Sequence, residues 1–250
     1  MENKILKVEE LKRWYTIGEK DKQKIDVLKG LSFDVEEGEF IGIMGRSGCG
    51  KTTLLKTLGQ IASPDDGKVW YKGKDITEFY GDALAEIRRK ELGFVFQDFY
   101  LMESLSVLEN IMLPLILNED DVEESKKKAY ELAEKFQISH LLHKKTYELS
   151  GGEKQRTAIC RTLIADPSLI FADEPTGNLD SKSAKNVIQA LEQINTEYKK
   201  TILLVTHDAL IASYCKRIIF LKDGEILGDL RIEGSNIDFY HAIVKQMEYV

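Results

Sequence analysis

The sequence predicts an α/β fold with a mostly parallel sheet, an N-terminal antiparallel β subdomain and an inserted α-helical subdomain. Three observations carry that expectation. The apolar run Phe40–Met44 breaks into a glycine-rich turn and then into the helical pattern Leu54-Leu55-Lys56-Thr57-Leu58. Two later runs, Leu169-Ile170-Phe171-Ala172 and Thr201-Ile202-Leu203-Leu204-Val205-Thr206, end in the polar pairs Asp173-Glu174 and His207-Asp208. Short continuous apolar runs of this kind suit strands buried on both faces. Between them, 106–164 carries apolar residues at helical spacing, whereas the first 35 residues alternate loosely as strands do.

Bulk properties narrow the function. A chain of 250 residues buries roughly three quarters of its unfolded surface and needs no disulfide staple. Its 35 basic and 42 acidic residues give a net charge of −7, with basic runs no longer than Lys126-Lys127-Lys128, so nucleic acid is not the expected partner. Cys49, Cys160 and Cys215 lie far apart, without the spacing of a zinc site or a disulfide framework, and fit a reducing cytoplasm. The N-terminus lacks a secretory apolar core, and no segment approaches the roughly 20 apolar residues of a membrane span. Any membrane role is therefore expected to come through a partner.

Taken in order, Ile5 to Leu11 reads as a strand, followed by Trp14-Tyr15 and a charged stretch, 18–26, expected to be an exposed hairpin loop. Tyr15 offers a π-face for stacking, but Trp14 competes for that role, and either could be an ordinary strand aromatic. Val27-Leu28 and Leu31-Ser32-Phe33-Asp34-Val35 continue the strands, and Glu36-Glu37-Gly38 turns the chain toward Phe40–Met44. The turn that follows is Gly45-Arg46-Ser47-Gly48-Cys49-Gly50-Lys51-Thr52-Thr53. Its glycines let backbone N–H groups face phosphate oxygens, Lys51 adds a mobile cation, and the Thr52 hydroxyl suits Mg²⁺. The helix beyond directs its positive end at the same anion. This is a P-loop, and the fold it implies is a P-loop nucleotide-hydrolase core.

After that helix, the cluster Ser63-Pro64-Asp65-Asp66-Gly67 makes a turn and Lys68-Val69-Trp70-Tyr71 a short strand; a helix follows over 83–90. Leu92-Gly93-Phe94-Val95-Phe96 is a buried strand ending at Gln97, and its loop continues with Phe99-Tyr100-Leu101-Met102, where a loop is ordinarily polar. These aromatics either fold back into the core or serve a partner. Val107, Leu108, Ile111, Met112 and Leu115 mark a helix interrupted by Pro114, and acids ahead of Lys126-Lys127-Lys128 mark another with a solvated surface. His140 and His143 lack ligand-spaced companions and are given no metal role.

Leu149-Ser150-Gly151-Gly152-Glu153 opens a further helix. Ser150 and Glu153 form a capping box, but that leaves the two glycines unexplained. Gly151 and Gly152 bare the N–H groups of a helix N-terminus, so this is a second expected phosphate site. At Asp173-Glu174, paired carboxylates at the end of a buried strand need a cation, and Mg²⁺ near Thr52 supplies it. Asp173 suits the metal; Glu174, expected on the opposite side of the strand, suits a general base for an attacking water. Strand C-terminal ends gather ligands in such sheets, so Lys51, Gln97, Glu174 and His207 are expected to converge. A helix over 183–197, a closing hairpin from Arg217 to Leu227, and an amphipathic terminal helix complete the chain. In the last, Ile237, Tyr240, Val244 and Met247 are the expected apolar face.

The ordered set of P-loop, Gln97, Leu149-Ser150-Gly151-Gly152-Glu153, Asp173-Glu174, Asp180 and His207 resembles the ATP-binding subunits of ABC transporters along nearly the whole chain. Phe171-Ala172-Asp173-Glu174-Pro175-Thr176-Gly177-Asn178-Leu179-Asp180 is similar to the lipoprotein-releasing, macrolide-exporting and cell-division group. Ala212-Ser213-Tyr214-Cys215-Lys216-Arg217 with Phe220-Leu221-Lys222-Asp223-Gly224 resembles the bacitracin-type antimicrobial-peptide resistance ATPases.

The resemblance implies one ATPase domain, its ATP-binding core in about 1–96 and 166–250 and its helical subdomain in about 97–165. It implies ATP and Mg²⁺ as ligands, held by Gly45 to Thr53 and, across a head-to-tail pair of copies, by Ser150, Gly151, Gly152 and Glu153. Tyr15 becomes the adenine platform, Gln97 a metal and water sensor, His207 a γ-phosphate contact, and Asp180 a residue of the nucleotide interface. Two helix N-termini at roughly 2 kcal/mol each would shift pairing about a thousandfold. A membrane permease is expected near 97–105, at the cytoplasmic face, with a sensor histidine kinase reached through it. A regulatory ATPase driving a non-transport membrane complex would use the same residues. Cys49 stands where many relatives carry Ser or Ala; beside Lys51 and a helix N-terminus it is expected to be a reactive thiolate shielded by ATP.

Overall fold

The computed structural model describes residues 4–18 and 23–250, so 19–22 of the expected hairpin loop lie outside the described residues. The N-terminal strands β1 (Lys4–Ile17) and β2 (Gln23–Glu36) pair antiparallel along most of their length. They join β4 (Asp66–Tyr71) and β5 (Lys74–Asp75) in an antiparallel sheet of order β2-β1-β4-β5. Gly67, at φ +84°, lets β4 begin against β1, since a Cβ there would stand 2.3 Å from the Glu10 carbonyl oxygen.

The second sheet holds β3 (Phe40–Met44), β6 (Leu92–Phe96), β7 (Leu169–Asp173), β8 (Thr201–Val205), β9 (Arg217–Lys222) and β10 (Glu225–Arg231). Its order is β10-β9-β3-β8-β7-β6; all neighbours are parallel except the β9–β10 hairpin. Alternation along the strands divides the core in two. Phe40, Met44, Ile170, Ala172, Ile202 and Leu204 face one hydrophobic cluster, and Ile41, Ile43, Leu169, Phe171, Leu203 and Val205 face the other. The first cluster is filled by α3 (Val107–Leu117), α4 (Val122–Lys135), α5 (Gly151–Leu163), α6 (Ser181–Tyr198) and α8 (Asn236–Met247). The second is closed by the antiparallel sheet and α1 (Lys51–Leu58), near α2 (Gly81–Lys90). The short α7 (Ala209–Ala212) follows β8. The expected α/β class, with its antiparallel N-terminal sheet and its helices between β6 and β7, is therefore the observed one.

Two local expectations change. Pro114 does not interrupt its helix: α3 runs through it to Leu117, because Ile111, Met112 and Leu115 on the same face are buried against the core. In α8 the buried residues are Phe239 and Ile243, while Ile237 is 69% exposed and Val244 is exposed as well. The expected stripe was displaced around the helix; only Met247, packed at the rim, belongs to both faces. Among the described residues, no helix is long and apolar enough to cross a membrane.

Candidate functional site

The C-terminal ends of β3, β6, β7 and β8 meet at a cleft of about 690 Å³. It is lined by Val27, Ser47, Gly48, Gly50, Lys51, Thr52, Thr53, Gln97, Glu174, Gly177 and His207. Lys51, Gln97, Glu174 and His207 thus converge, although they are far apart in the chain. The geometry begins with Gly50, whose φ of 105° caps α1 in a conformation that L side chains resist. Lys51 is nearly buried, and its Nζ donates to the carbonyls of Gly45 (2.8 Å) and Arg46 (3.0 Å), fixing the curve of the loop. Gly45, Arg46 and Cys49 shape that loop without lining the cleft.

Below the loop, Thr52 Oγ1 donates to Asp173 Oδ1 at 3.0 Å. Burial pushes the Asp173 carboxyl above its usual range, the Thr52 bond opposes that shift, and the Glu174 charge adds to it. Glu174 follows β7 at φ 47°, held by its N–H on the Val205 carbonyl (3.0 Å). Its Oε2 lies 2.7 Å from His207 Nδ1. With the carboxylate ionised, Oε2 can only accept, and Nδ1 is then the donor of this pair.

Cys49 corrects an expectation. It is buried, and burial raises its thiol above the usual value more strongly than nearby Lys51 lowers it. Helix position alone had suggested a thiolate; packing beneath the loop produces the opposite.

The other expected residues lie outside the cleft. Ser150 caps α5: its N–H and hydroxyl both donate to Glu153 Oε2 at 2.8 Å, and the Glu153 N–H returns to Ser150 Oγ at 3.4 Å. Gly152 also has a packing reason, since a Cβ there would stand 2.9 Å from Ser183 Oγ on α6. Asp180 caps α6 by accepting from the N–H groups of Lys182 and Ser183 at 3.0 Å each. Tyr15 is 42% exposed with the Arg13 guanidinium 5.0 Å from its ring centre, and Trp14 is more covered, with the Lys24 ammonium at 3.8 Å. In the apolar loop, Tyr100 is 62% exposed and Met102 is exposed, while Phe99 and Leu101 are half-buried.

Sequence reasoning missed Gln155 and Arg161. Gln155 is fully buried and donates through Nε2 to the carbonyls of Phe96 (3.2 Å) and Pro175 (2.7 Å), spacing the ends of β6 and β7. Arg161 donates to the carbonyls of Phe99 and Tyr100, both at positive φ, so it holds the unusual path of the apolar loop. A signal was present for Gln155, a polar residue among the apolar positions of α5, one turn from its start; Arg161, near its end, carried none.

A strand, glycine turn and helix presenting Lys51 and Thr52, with the half-buried Asp173 carboxylate at the end of β7, one strand beyond the neighbouring β8, define a P-loop nucleotide-binding protein. The match to known proteins is more specific. The ABC transporter family matches residues 28–177. The bacitracin export ATP-binding protein BceA of Halalkalibacterium halodurans is 44% identical over 223 residues, 89% of this chain and 88% of that protein. The macrolide export ATP-binding/permease protein MacB of Bdellovibrio bacteriovorus is 43% identical over 92% of this chain, which spans 34% of that protein. Among solved structures, the dimeric post-hydrolysis state of the ATP-binding cassette MJ0796, bound to ADP and Pi, has a TM-score of 0.84 and 38% identity, covering 92% of this chain and all of that one. The chain belongs to the ABC transporter family, as an ATP-binding and ATP-hydrolysing subunit.

Proposed function

We propose that this chain powers a membrane permease for export of, or resistance to, antimicrobial peptides of the bacitracin type, through ATP-dependent pairing of two copies. The observation that carries the reading is the convergence of Lys51, Thr52, Gln97, Glu174 and His207 on one cleft, while the bare helix end at Ser150-Gly151-Gly152 stands outside it. A phosphate site that misses its own cleft is suited to completing the cleft of another copy. The dimeric MJ0796 cassette supports that arrangement, and the 44% identity to BceA supports the peptide class.

Within the cleft, the loop N–H groups and Lys51 bind and orient phosphate, with Gly45 to Thr53 forming the cradle. The half-buried Asp173 carboxylate, which has no cation among its hydrogen-bond partners, and the Thr52 hydroxyl offer hard oxygens, a set that fits Mg²⁺, with Gln97 as a further oxygen donor. Bound there, Mg²⁺ would neutralise phosphate charge. Glu174 accepts the proton of the attacking water, His207 Nδ1 orients the Glu174 carboxylate, and the rest of the His207 ring is the γ-phosphate contact. Tyr15, exposed on the strand that pairs with β2 near Val27, is the adenine platform. Asp180 and Glu153 order the two helix ends that meet nucleotide across the pair.

The chain divides into an ATP-binding core, about 1–96 and 166–250, and a helical subdomain, about 97–165. The exposed Tyr100 and Met102 support the loop 97–105 as the permease contact, which sets the chain peripherally on the cytoplasmic membrane face. MacB, which joins ATP-binding and permease functions in one protein, supports a permease partner. Affinity purification of the tagged chain from detergent-solubilised host membranes tests this. Recovery of a permease with a large extracellular domain, together with bacitracin sensitivity on Lys51→Ala, is expected; a short division-type partner with unchanged sensitivity would overturn it. The same preparation tests for a sensor histidine kinase.

A further inference from the structure

The loops leaving β6 and β7 are joined by amide side chains. Gln97 Nε2 donates to Asn178 Oδ1 at 3.0 Å. Asn178 Nδ2 donates back to the Gln97 carbonyl at 3.3 Å and to Asp98 Oδ1 at 3.2 Å. One asparagine thus uses its acceptor and both donors on two consecutive residues of the other loop. Gly177 leaves room for this: a Cβ at that position would stand 2.8 Å from Gln97 Nε2.

Asn178 has a simpler reading as a turn residue, since the Leu179 N–H donates to the Thr176 carbonyl at 3.2 Å and asparagine suits such turns. A turn alone requires none of the three bonds to 97–98. Those bonds instead tie the side chain of Gln97, which lines the nucleotide cleft, to the segment that also carries Glu174 and Asp180. The tie to Glu174 is short, because the Gly177 N–H donates to the Glu174 carbonyl at 3.0 Å.

We propose that Asn178 is a positioning residue for Gln97: it sets the Gln97 amide in the cleft and makes the loops after β6 and β7 move together. This rests on the role proposed above for Gln97. Displacement of 97–105 by a bound protein would then be felt at Glu174 within one chain, through two amide side chains and one turn.

A double-mutant cycle on the purified full-length chain tests the proposal. Asn178→Ala should lower kcat for Mg-ATP by about 10-fold with KM for ATP within about 2-fold, and should cost less than about 2-fold in a Gln97→Ala background. Asn178→Asp sets a carboxylate against Asp98 and should lower kcat similarly, whereas adding Asp98→Asn restores a donor between the loops and should recover kcat to within about 3-fold of wild type. Without nucleotide, Asn178→Ala should also speed amide hydrogen exchange over 97–102, a readout independent of turnover. Penalties that multiply across Gln97 and Asn178, or an Asn178→Asp loss unchanged by Asp98→Asn, would overturn the inference alone. Normal turnover by Gln97→Ala would overturn the role of Gln97 itself, and the inference with it.

Discussion

Glu174 occupies the left-handed region, where an L side chain costs roughly 1–2 kcal/mol, yet the Val205 carbonyl, the Gly177 turn and His207 hold it there. Strain stabilised from three sides keeps a carboxylate aimed into the cleft. Glu174→Gln preserves shape and removes the base, so ATP binding should persist while turnover falls about 10²-fold or more, measured by nucleotide titration beside phosphate release. Cys49 behaves differently from a site residue. With all three thiols buried and raised by burial, little thiolate exists near pH 7. The native chain should therefore show almost no rapid reaction with a disulfide reagent, and all three cysteines should react after denaturation; a fast native thiol would restore the original expectation for Cys49. At this scale the sequence was legible where chemistry demands a residue type, as at Lys51, Thr52 and the Asp173-Glu174 pair. It was silent on Cys49 burial, because neighbouring residues in sequence do not report what packs over a loop.

Helices show the same division. The box at Ser150 and Glu153 was readable from residue spacing, and its bonds form as expected. Accepting from the Ser150 backbone N–H holds Glu153 below its usual carboxylate range, with the Ser150 hydroxyl assisting. The folded value being depressed, this contribution is fully present above the ordinary value of 4.5 and is lost as pH falls through the lower folded value. Glu153→Gln should consequently lower the melting temperature at pH 7 by a few degrees, corresponding to about 1 kcal/mol, and the difference from wild type should shrink below pH 4.5. A difference independent of pH would remove the ionised carboxylate from the cap. In the terminal helix α8 the sequence offers two apolar stripes, Ile237-Tyr240-Val244 and Phe239-Ile243, and only its docking beside α7 into the first hydrophobic cluster selects the second. The apolar loop after Gln97 was similarly ambiguous: Arg161, more than 60 residues away in sequence, decides which aromatics turn outward.

For the molecule as a whole, the mostly parallel sheet followed from the strand–helix alternation, but its strand order and the pairing of copies did not, because both depend on contacts between segments far apart in the chain or on different chains. The arrangement makes a prediction that no single-site mechanism shares. Lys51→Ala removes the phosphate cation from the cleft and leaves the helix end at Ser150 intact. Gly151→Asp places a carboxylate where a phosphate would approach, yet suits a helix N-terminus; its tightest Cβ contact is the flexible Leu179 side-chain tip at 3.1 Å, with the Asn178 carbonyl oxygen (3.6 Å) and the Phe99 ring (4.0 Å) at ordinary contact distance, so α5 should fold. Each variant alone should be inactive, since every homodimer then carries the same lesion in both sites. In a mixed pair, one site combines both lesions and the other combines two intact halves. An equal mixture should recover about one quarter of wild-type turnover per chain, because half the randomly formed pairs are mixed and each retains one of two sites. If the phosphate contacts of Lys51 and Gly151 instead acted within the same chain, each chain in the mixture would still carry one fatal lesion, and recovery would be absent. Phosphate release from the mixture, measured against both variants alone, separates the two architectures.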